Sequence, residues 1–353
     1  MIKKARFSQL TWLIIITTAV FTLSACVAGS TTGWSGPTPV GGLVYLGSVE
    51  GRVLALDASN GARKWQFPAD ADKKIGSVYG SPTVSGDVVY VGSYDGNLYA
   101  LDAASGVLRW QFATRGPIVG RAAVAGTSIY VASSDEKLYA LDMEGKKTWE
   151  FSAKNKIWAT PVVTKDAVYI TSLDHRLYAL DPANGAVKWT FETQGALPAT
   201  PTVADGKVLV GSFDRNLYAV DASTGKEVWK FEGGNGFWSQ PLVISATVYI
   251  GGLDRKVYAL DLNTGAKRWE FAAGDLVRSE PIALDDLVIV AAQNGIIYGL
   301  DAKNGGKVWD AQVSAPVLAD MAVQGTTLFV ASLNRILYSL EGKAGTKKWE
   351  AQT

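Results

Sequence analysis

A tryptophan that recurs at a nearly constant spacing constrains this chain more than any other feature. The eight positions are Trp65, Trp110, Trp149, Trp189, Trp229, Trp269, Trp309 and Trp349. The first step is 45 residues, the second is 39, and each of the remaining five is 40. A repeat of this length is one supersecondary unit that cannot bury its own apolar faces, so neighbouring units must stack. We therefore divide residues 34–353 into eight stacked units.

Each unit contains four short runs of β-forming residues separated by turn residues. In the second unit these runs are 81–84, 88–93, 98–102 and 108–112. Asp95 and Gly96 suit a tight hairpin, and in the next turn the Asp102 carboxylate can accept backbone N–H groups while Gly106 supplies a positive φ. Radial stacking buries both faces of such sheets and leaves few edges exposed. The sequence predicts an all-β fold, an eight-bladed β-propeller of four-stranded antiparallel blades.

The two ends of the repeat array predict how the ring closes. The first unit has an innermost strand near Pro37, and the eighth unit has an outermost strand around Trp349. We therefore expect no strand to be exchanged between the first and last blades. In the last two units Gly299 and Ser339 replace an alanine of the repeat, and Glu341 replaces its aspartate. We expect weaker contacts between blades near the closure.

The first 26 residues have the features of an export signal. Several basic residues near the N-terminus are followed by an apolar stretch at 12–23, which is too short for a comfortable transmembrane span. The sequence Leu-Ser-Ala-Cys at 23–26 resembles the lipobox at which bacterial lipoprotein signal peptides are cleaved. We predict a lipoprotein signal peptide at 1–25, a lipidated Cys26 with a short tether at 26–33, and the propeller at 34–353.

Cys26 is the only cysteine of the chain, so no disulfide can form within it, although an export signal indicates an oxidising compartment. Two or more acyl chains on this residue would anchor the protein stably to a membrane. The expected location is the periplasmic face of the outer membrane in a host with two membranes, and the cell surface otherwise. The alternative is an ordinary secretory signal, with Cys26 left unmodified.

The end of each unit resembles a known repeat family. The pattern Ala-Leu-Asp-x-x-x-Gly-x-x-x-Trp at 55–65, 100–110, 179–189 and 259–269 resembles the tryptophan-docking motif of pyrroloquinoline-quinone-type (PQQ-like) propeller repeats. The resemblance implies that each tryptophan packs across the gap between neighbouring blades. A lipobox followed by eight such units resembles the BamB-like lipoproteins of outer-membrane β-barrel assembly. That second resemblance implies a non-catalytic scaffold that docks on a periplasmic partner.

Quinone-dependent dehydrogenases share the repeat type, yet the residues argue against that chemistry. Those enzymes typically carry a vicinal cysteine disulfide, a set of calcium ligands and a catalytic aspartate, and no motif here corresponds to them. His175 is the only histidine, which excludes His-rich metal sites, and we interpret it as a solvated turn residue. We predict no catalytic residues, no metal and no cofactor, and a dehydrogenase ranks last among the functions considered.

Aromatic residues three positions before the proline of the innermost strand form one candidate binding surface. They are Trp34, Tyr79, Trp158 and Trp238, with Arg278 in the seventh unit. These side chains would surround the mouth of the central channel and offer stacking faces to a peptide or a sugar. Further along the same strands, Arg121, Gln240, Glu280 and Asp320 predict a polar, asymmetric channel. The alternative is that the aromatic side chains only pack between blades.

Basic residues at the hairpin between the second and third strands form another candidate surface. They are Arg52, Lys137, Arg176, Arg215, Arg255, Lys256 and Arg335. On one face of a propeller they would make a basic ring for an acidic protein loop, an anionic glycan or a lipid headgroup. The alternative is that charges lie on turns only for solubility.

The overall charge is nearly balanced, with 34 Lys and Arg against 33 Asp and Glu, and predicts no nucleic-acid partner. The function expected from the sequence is a monomeric, membrane-anchored propeller scaffold that binds a protein or peptide. The alternative is a surface module that senses or captures sugars or cell-wall fragments.

Overall fold

The computed structural model describes residues 35–70 and 72–353, and all regular elements in those ranges are β-strands. They form eight four-stranded antiparallel sheets, and in each sheet the strands lie side by side in chain order. The predicted eight-bladed β-propeller is confirmed. The predicted signal peptide, Cys26 and Trp34 lie outside the described residues.

The strands take their boundaries from the apolar runs and the turn residues of each unit. Blades 1 to 4 contain β1 (Thr38–Val40), β2 (Leu43–Gly47), β3 (Val53–Asp57), β4 (Arg63–Phe67), β5 (Thr83–Ser85), β6 (Val88–Gly92), β7 (Asn97–Asp102), β8 (Leu108–Ala113), β9 (Ala123–Ala125), β10 (Ser128–Ala132), β11 (Lys137–Leu141), β12 (Lys147–Ser152), β13 (Val162–Val163), β14 (Val168–Thr171), β15 (Arg176–Leu180) and β16 (Val187–Glu192). Blades 5 to 8 contain β17 (Thr202–Ala204), β18 (Lys207–Gly211), β19 (Asn216–Asp221), β20 (Glu227–Glu232), β21 (Leu242–Ile244), β22 (Thr247–Gly251), β23 (Lys256–Asp261), β24 (Lys267–Ala272), β25 (Ile282–Leu284), β26 (Leu287–Ala291), β27 (Ile296–Asp301), β28 (Lys307–Gln312), β29 (Ala322–Gln324), β30 (Thr327–Ser332), β31 (Ile336–Glu341) and β32 (Lys347–Gln352).

The ring closes between the first and last blades without exchanging a strand. Strands β1 to β4 form one sheet and β29 to β32 another. The innermost strand β1 contacts β5 on one side and β29 on the other. The closure is therefore made by side-chain packing between two complete sheets, as the sequence predicts.

The apolar core lies between the blades. The middle strands of each sheet are almost wholly buried, as in β7, where residues 98–101 are at most 6% exposed. The buried side chains fall into clusters that each join two adjacent blades, such as the cluster of Tyr45, Trp65, Val89 and Tyr99. Because every sheet is covered on both faces by a neighbour, no blade has a core of its own.

A repeated backbone irregularity positions each tryptophan. In every blade the register between the third and fourth strands shifts after the motif residue, as at Ala100, which lies opposite Trp110. The indole then covers the turn glycine of the next blade. A Cβ atom on Gly106, whose φ is +73°, would lie 2.5 Å from Cε3 of Trp65. This glycine therefore supplies the left-handed turn and also the space for the indole.

The same contact runs all the way round the ring. The other pairs are Trp110 with Gly145, Trp149 with Gly185, Trp189 with Gly225, Trp229 with Gly265, Trp269 with Gly305, Trp309 with Gly345 and Trp349 with Gly61. The last of these joins blade 8 to blade 1. One indole thus lies in each of the eight gaps between blades.

Six of these indoles also donate a hydrogen bond to the next blade. The acceptors, at 2.9 to 3.1 Å, are the backbone carbonyls of Ala103, Met143, Pro182, Ala222, Leu262 and Ala302. In contrast, the buried Nε1 of Trp309 has no partner among the described residues. Its indole leans over Gly299, where a Cβ atom would lie 2.3 Å from Nε1. The indole between blades 7 and 8 therefore packs without the hydrogen bond to the next blade that these six indoles donate.

Candidate functional site

Two sets of loops meet on one face of the ring and bring aromatic side chains together. The connections that lead into the innermost strands carry Tyr79, Trp158 and Trp238, and the hairpins between the second and third strands carry Tyr94 and Phe213. The rings of Tyr79 and Tyr94 pack edge to face with centroids 5.4 Å apart. Phe213 packs against Trp238 at 5.4 Å, and Trp158 lies 6.5 Å from Trp238.

Four of these side chains, those of Tyr79, Tyr94, Trp158 and Trp238, border an open cavity of about 550 Å³, which we call the mouth groove. Its residues include Tyr79, Tyr94, Trp158, Trp238, Arg115 and Lys156. A volume of this size lies within the range of cavities that bind small ligands or single segments of a partner. Tyr94 is 51% exposed and Phe213 beside the groove is 38% exposed, so the aromatic surface is open to solvent.

The charged residues of the mouth groove give it a cationic rim. Arg115 and Lys156 are exposed at its edge. The acidic residue there, Asp135, accepts hydrogen bonds from the backbone N–H of Arg115 at 2.8 Å and from the Tyr139 hydroxyl at 2.7 Å. Neither Arg115 nor Lys156 forms an ion pair with an acid among the described residues, so both side chains can contact a ligand.

Arg278 extends the aromatic stack on the far side of Trp238. Its guanidinium carbon lies 5.2 Å from the centre of the indole, within the range of a cation–π contact. Burial lowers the pKa of Arg278, and the nearby Asp275 opposes that shift. Its Nε is buried without a hydrogen-bond partner among the described residues. The stacked guanidinium therefore has one buried donor without a partner among the described residues.

Below the groove, polar residues form a narrow neck in the channel. The equivalent positions of the eight blades are Gly36, Ser81, Arg121, Thr160, Thr200, Gln240, Glu280 and Asp320. Neighbours are joined by hydrogen bonds, including the N–H of Arg121 to Thr160 at 3.2 Å and the N–H of Glu280 to Asp320 at 3.1 Å. The cavity at this level is only about 130 Å³, which is much smaller than the mouth groove.

Glu280 is the most strongly perturbed acid of the neck. Burial and the negative charge of Asp320 raise its pKa from 4.5 to about 8, and Arg121 opposes this shift. Glu280 therefore holds a proton at neutral pH. The folded chain binds that proton more tightly than the unfolded chain does, so stability falls as pH rises from about 4.5 to about 8.

Replacing Glu280 by glutamine should remove this dependence on pH. We expect Glu280→Gln to match the wild type near pH 5 and to be more stable by at least about 1 kcal/mol at pH 8, because the amide cannot ionise. Thermal denaturation of both proteins across this range measures the difference. A difference that stays constant with pH, or that grows towards acid pH, would contradict the assignment.

The basic hairpin residues do not enter the mouth groove. Arg176 forms an ion pair with Glu192 at 2.8 Å, Arg215 pairs with Glu232 at 2.8 Å, and Arg335 pairs with Glu50. Lys137 and Lys256 pair with Glu150 and Glu270 in the same way. Arg255 lies at the corresponding turn with a φ of 68°. Four glutamates of the outermost strands and Glu50 of a neighbouring hairpin therefore offset part of the positive charge of these residues.

In five of the eight blades, the aspartate of the hairpin tip has a structural use that the sequence pattern did not reveal. Asp214 accepts hydrogen bonds from the Tyr218 hydroxyl and from the N–H of Gln194, both at 2.9 Å, and from the N–H of Asn216 at 3.0 Å. Burial opposes ionisation of Asp214, but these bonds outweigh it and lower its pKa. Asp95, Asp135, Asp174 and Asp254 accept the hydroxyl of an equivalent tyrosine. This contact fixes the loops that carry the mouth groove.

The structure brings together five of the predicted binding residues, whereas the basic hairpin residues lie apart from them. Tyr79, Arg121, Trp158, Trp238 and Arg278 line the mouth groove or the neck. Sequence reasoning missed Tyr94, Phe213, Arg115 and Lys156. The sequence carried a signal for two of these residues. Tyr94 and Phe213 each stand directly before the tip aspartate, at a turn position where exposure of a large apolar side chain is costly.

Comparisons with known proteins agree with the architecture. A family model described as outer membrane protein assembly factor BamB matches residues 20–119, 115–201, 193–317 and 256–353. The crystal structure of BamB from Moraxella catarrhalis is similar at 23% identity with a TM-score of 0.72, over 85% of this chain and 93% of that chain. The computationally designed Ika8 protein is similar at 14% identity with a TM-score of 0.75, over 92% of this chain and 98% of that chain. No curated protein matches the chain.

Within residues 35–70 and 72–353, no helix is long and apolar enough to cross a membrane. The same part of the chain has no cluster of three or more His, Cys, Asp or Glu side chains that could hold a metal ion.

Proposed function

Because the chain belongs to the family of the outer membrane protein assembly factor BamB, we propose that it is a non-catalytic scaffold that binds a protein partner in outer-membrane assembly. The observation that carries the proposal is the mouth groove. It combines a solvent-open aromatic surface with a volume of about 550 Å³ on one face of a rigid ring. Aromatic residues in such a recess are the usual anchors of protein interfaces.

The charges at the rim favour a segment with acidic residues as the occupant. Arg115 and Lys156 flank the aromatic walls, and Arg278 stacks on Trp238 with its Nε unpaired among the described residues. An extended segment could lay apolar or aromatic side chains between the tyrosine and tryptophan walls and direct carboxylates to these cations. The neck of about 130 Å³ is too small for a typical substrate, which favours binding over catalysis.

Anchoring through Cys26 completes the proposal. Export followed by acylation of Cys26 would hold the propeller at the periplasmic face of the outer membrane, with the tether at 27–33 connecting lipid and ring. The basis for this part is the lipobox-like sequence at 23–26.

Removing the protein from its host tests the function. We expect cells without it to contain less folded outer-membrane β-barrel protein, measured by the heat-modifiable mobility of those barrels in gels. The wild-type gene should restore the amount, and so should the control Val187→Ala, which changes an exposed residue of the outermost strand β16. The variant with Trp158→Ala and Trp238→Ala should not. Unchanged barrel content in the deletion strain would refute the proposed role.

A further inference from the structure

Six of the gaps between blades contain the same aromatic pair near the outer edge of the ring. A phenylalanine of the outermost strand of one blade packs against a tyrosine of the third strand of the next. The pairs are Phe67 with Tyr99 at 5.5 Å, Phe112 with Tyr139 at 5.3 Å, Phe151 with Tyr178 at 5.0 Å, Phe191 with Tyr218 at 5.3 Å, Phe231 with Tyr258 at 5.0 Å and Phe271 with Tyr298 at 5.1 Å. Phenylalanine is therefore the residue that the repeat usually places against the tyrosine of the next blade.

The gap between blades 7 and 8 keeps the tyrosine but lacks the phenylalanine. Ala311 stands where the other blades have phenylalanine, and it faces Tyr338. A cavity of about 260 Å³ lies between them, bounded also by Leu340, Lys347 and Glu350. We call it the blade 7/8 pocket. An apolar cavity of about 150 Å³ is already large enough to bind benzene.

The tyrosine that borders the blade 7/8 pocket is held in place without a phenylalanine. The Tyr338 hydroxyl lies within hydrogen-bond distance of Ser314 Oγ, and Asn334 donates to the same Ser314 oxygen at 2.7 Å. At the lip, Lys347 and Glu350 form an exposed ion pair at 2.9 Å. The pocket therefore has an aromatic wall held by hydrogen bonds, apolar contacts from Ala311 and Leu340, and an ion pair at its entrance, an arrangement that suits an anchor side chain.

The gap between blades 8 and 1 shows that the loss of the phenylalanine alone does not create such a pocket. Between blades 8 and 1 the phenylalanine is again replaced, by Ala351, but Leu54 stands in place of the tyrosine. The cavity there, about 330 Å³, is bordered by Glu50, Arg52 and Arg63. Among the described residues no aromatic side chain borders this cavity, so it offers no ring against which a phenylalanine could pack.

We propose that the blade 7/8 pocket receives a phenylalanine side chain from an extended segment of the protein partner. The incoming ring would repeat the contact that six phenylalanines of the chain itself make with the corresponding tyrosines, which is edge-to-face in five pairs and tilted in the pair of Phe67 with Tyr99. This inference rests on the proposed function, and it adds a second anchor point at the outer edge of the ring, separate from the mouth groove.

The pocket can be tested with a defined probe on the full-length protein. We expect N-acetyl-L-phenylalanine methylamide to shift the methyl NMR signals of Ala311 and Leu340, and the alanine analogue of the probe to leave them unchanged. The variant Ala311→Phe fills the pocket, so it should lose the probe-induced shift at Leu340 while its melting temperature rises. The matched control Phe271→Ala opens the same cavity opposite Tyr298 and should gain a second probe site.

Three outcomes would overturn the inference. They are no probe-induced shift in the wild type, equal shifts with the alanine analogue, and a probe response that persists in a folded Ala311→Phe protein. The probe experiment does not involve the mouth groove or the assembly of barrels. Probe binding with normal barrel content in the deletion strain would refute the proposed function alone, whereas reduced barrel content without probe binding would refute the pocket alone.

Discussion

Replacing Trp229 by alanine is expected to lower the free energy of unfolding by about 3–5 kcal/mol. The indole is only 8% exposed, covers Gly265 of the next blade, and donates from Nε1 to the Leu262 carbonyl at 2.9 Å. Truncation would leave a cavity between blades 5 and 6 and an unpaired carbonyl. The shift in the chemical denaturation midpoint, with the slope of the transition, measures the loss.

Trp309 provides a matched comparison in the same ring. It is also 8% exposed and covers Gly345, but its Nε1 has no hydrogen-bond partner among the described residues. We therefore expect Trp309→Ala to cost less than Trp229→Ala by about 1 kcal/mol, the usual worth of one hydrogen bond. Equal losses, or a loss below about 1 kcal/mol for Trp229→Ala, would show that the indoles do not hold neighbouring blades together.

The fold was predictable because its determinants are local and repeated. The turn glycine, the alternation of the strands and the docking tryptophan recur in every unit with little change in spacing, and the turn aspartate recurs in all units except the last. Eight complete units admit few arrangements other than a closed ring. The pairing of Trp349 with Gly61 follows the same rule as the internal pairs, although these residues are almost a full chain length apart.

The composition of the mouth groove was only partly predictable. Trp158 and Trp238 were identified because they occupy equivalent positions before the innermost strands. The contact of Tyr79 with Tyr94 depends on how the loop entering a blade meets the hairpin of the same blade, which spacing alone does not specify. Phe213 was missed for the same reason, since it belongs to blade 5 and packs on a residue that leads into blade 6.

The ion pairs of the basic hairpin residues were not predicted, because the charges were counted without the register of the strands. Arg176 lies directly opposite Glu192 in the pairing of β15 with β16, so the two side chains meet. Exposed pairs of this kind contribute little stability, but they reduce the positive potential of the face.

The blade 7/8 pocket was only partly predictable. The sequence shows that Ala311 stands in place of a phenylalanine, but the pocket also depends on Tyr338, which lies in a different blade.

Removing Trp158 and Trp238 together is expected to abolish most partner binding, because the two indoles form one wall of the mouth groove. Central aromatic residues of an interface commonly contribute 2 kcal/mol or more each, so a reduction of at least about tenfold in complex formation is expected. The double variant should keep its melting temperature within a few degrees of the wild type, since both side chains are only partly buried.

Photo-crosslinking in living cells measures partner binding at the mouth groove most directly. With p-benzoylphenylalanine at position 94, in the groove, we predict one dominant protein adduct whose yield falls at least about tenfold in the double variant. With the same label at position 187, on the exposed outermost strand of blade 4, we predict no such adduct. Equal adducts from both positions, an adduct at 94 that does not depend on the indoles, or a glycan instead of a protein in the groove would contradict a protein-binding mouth.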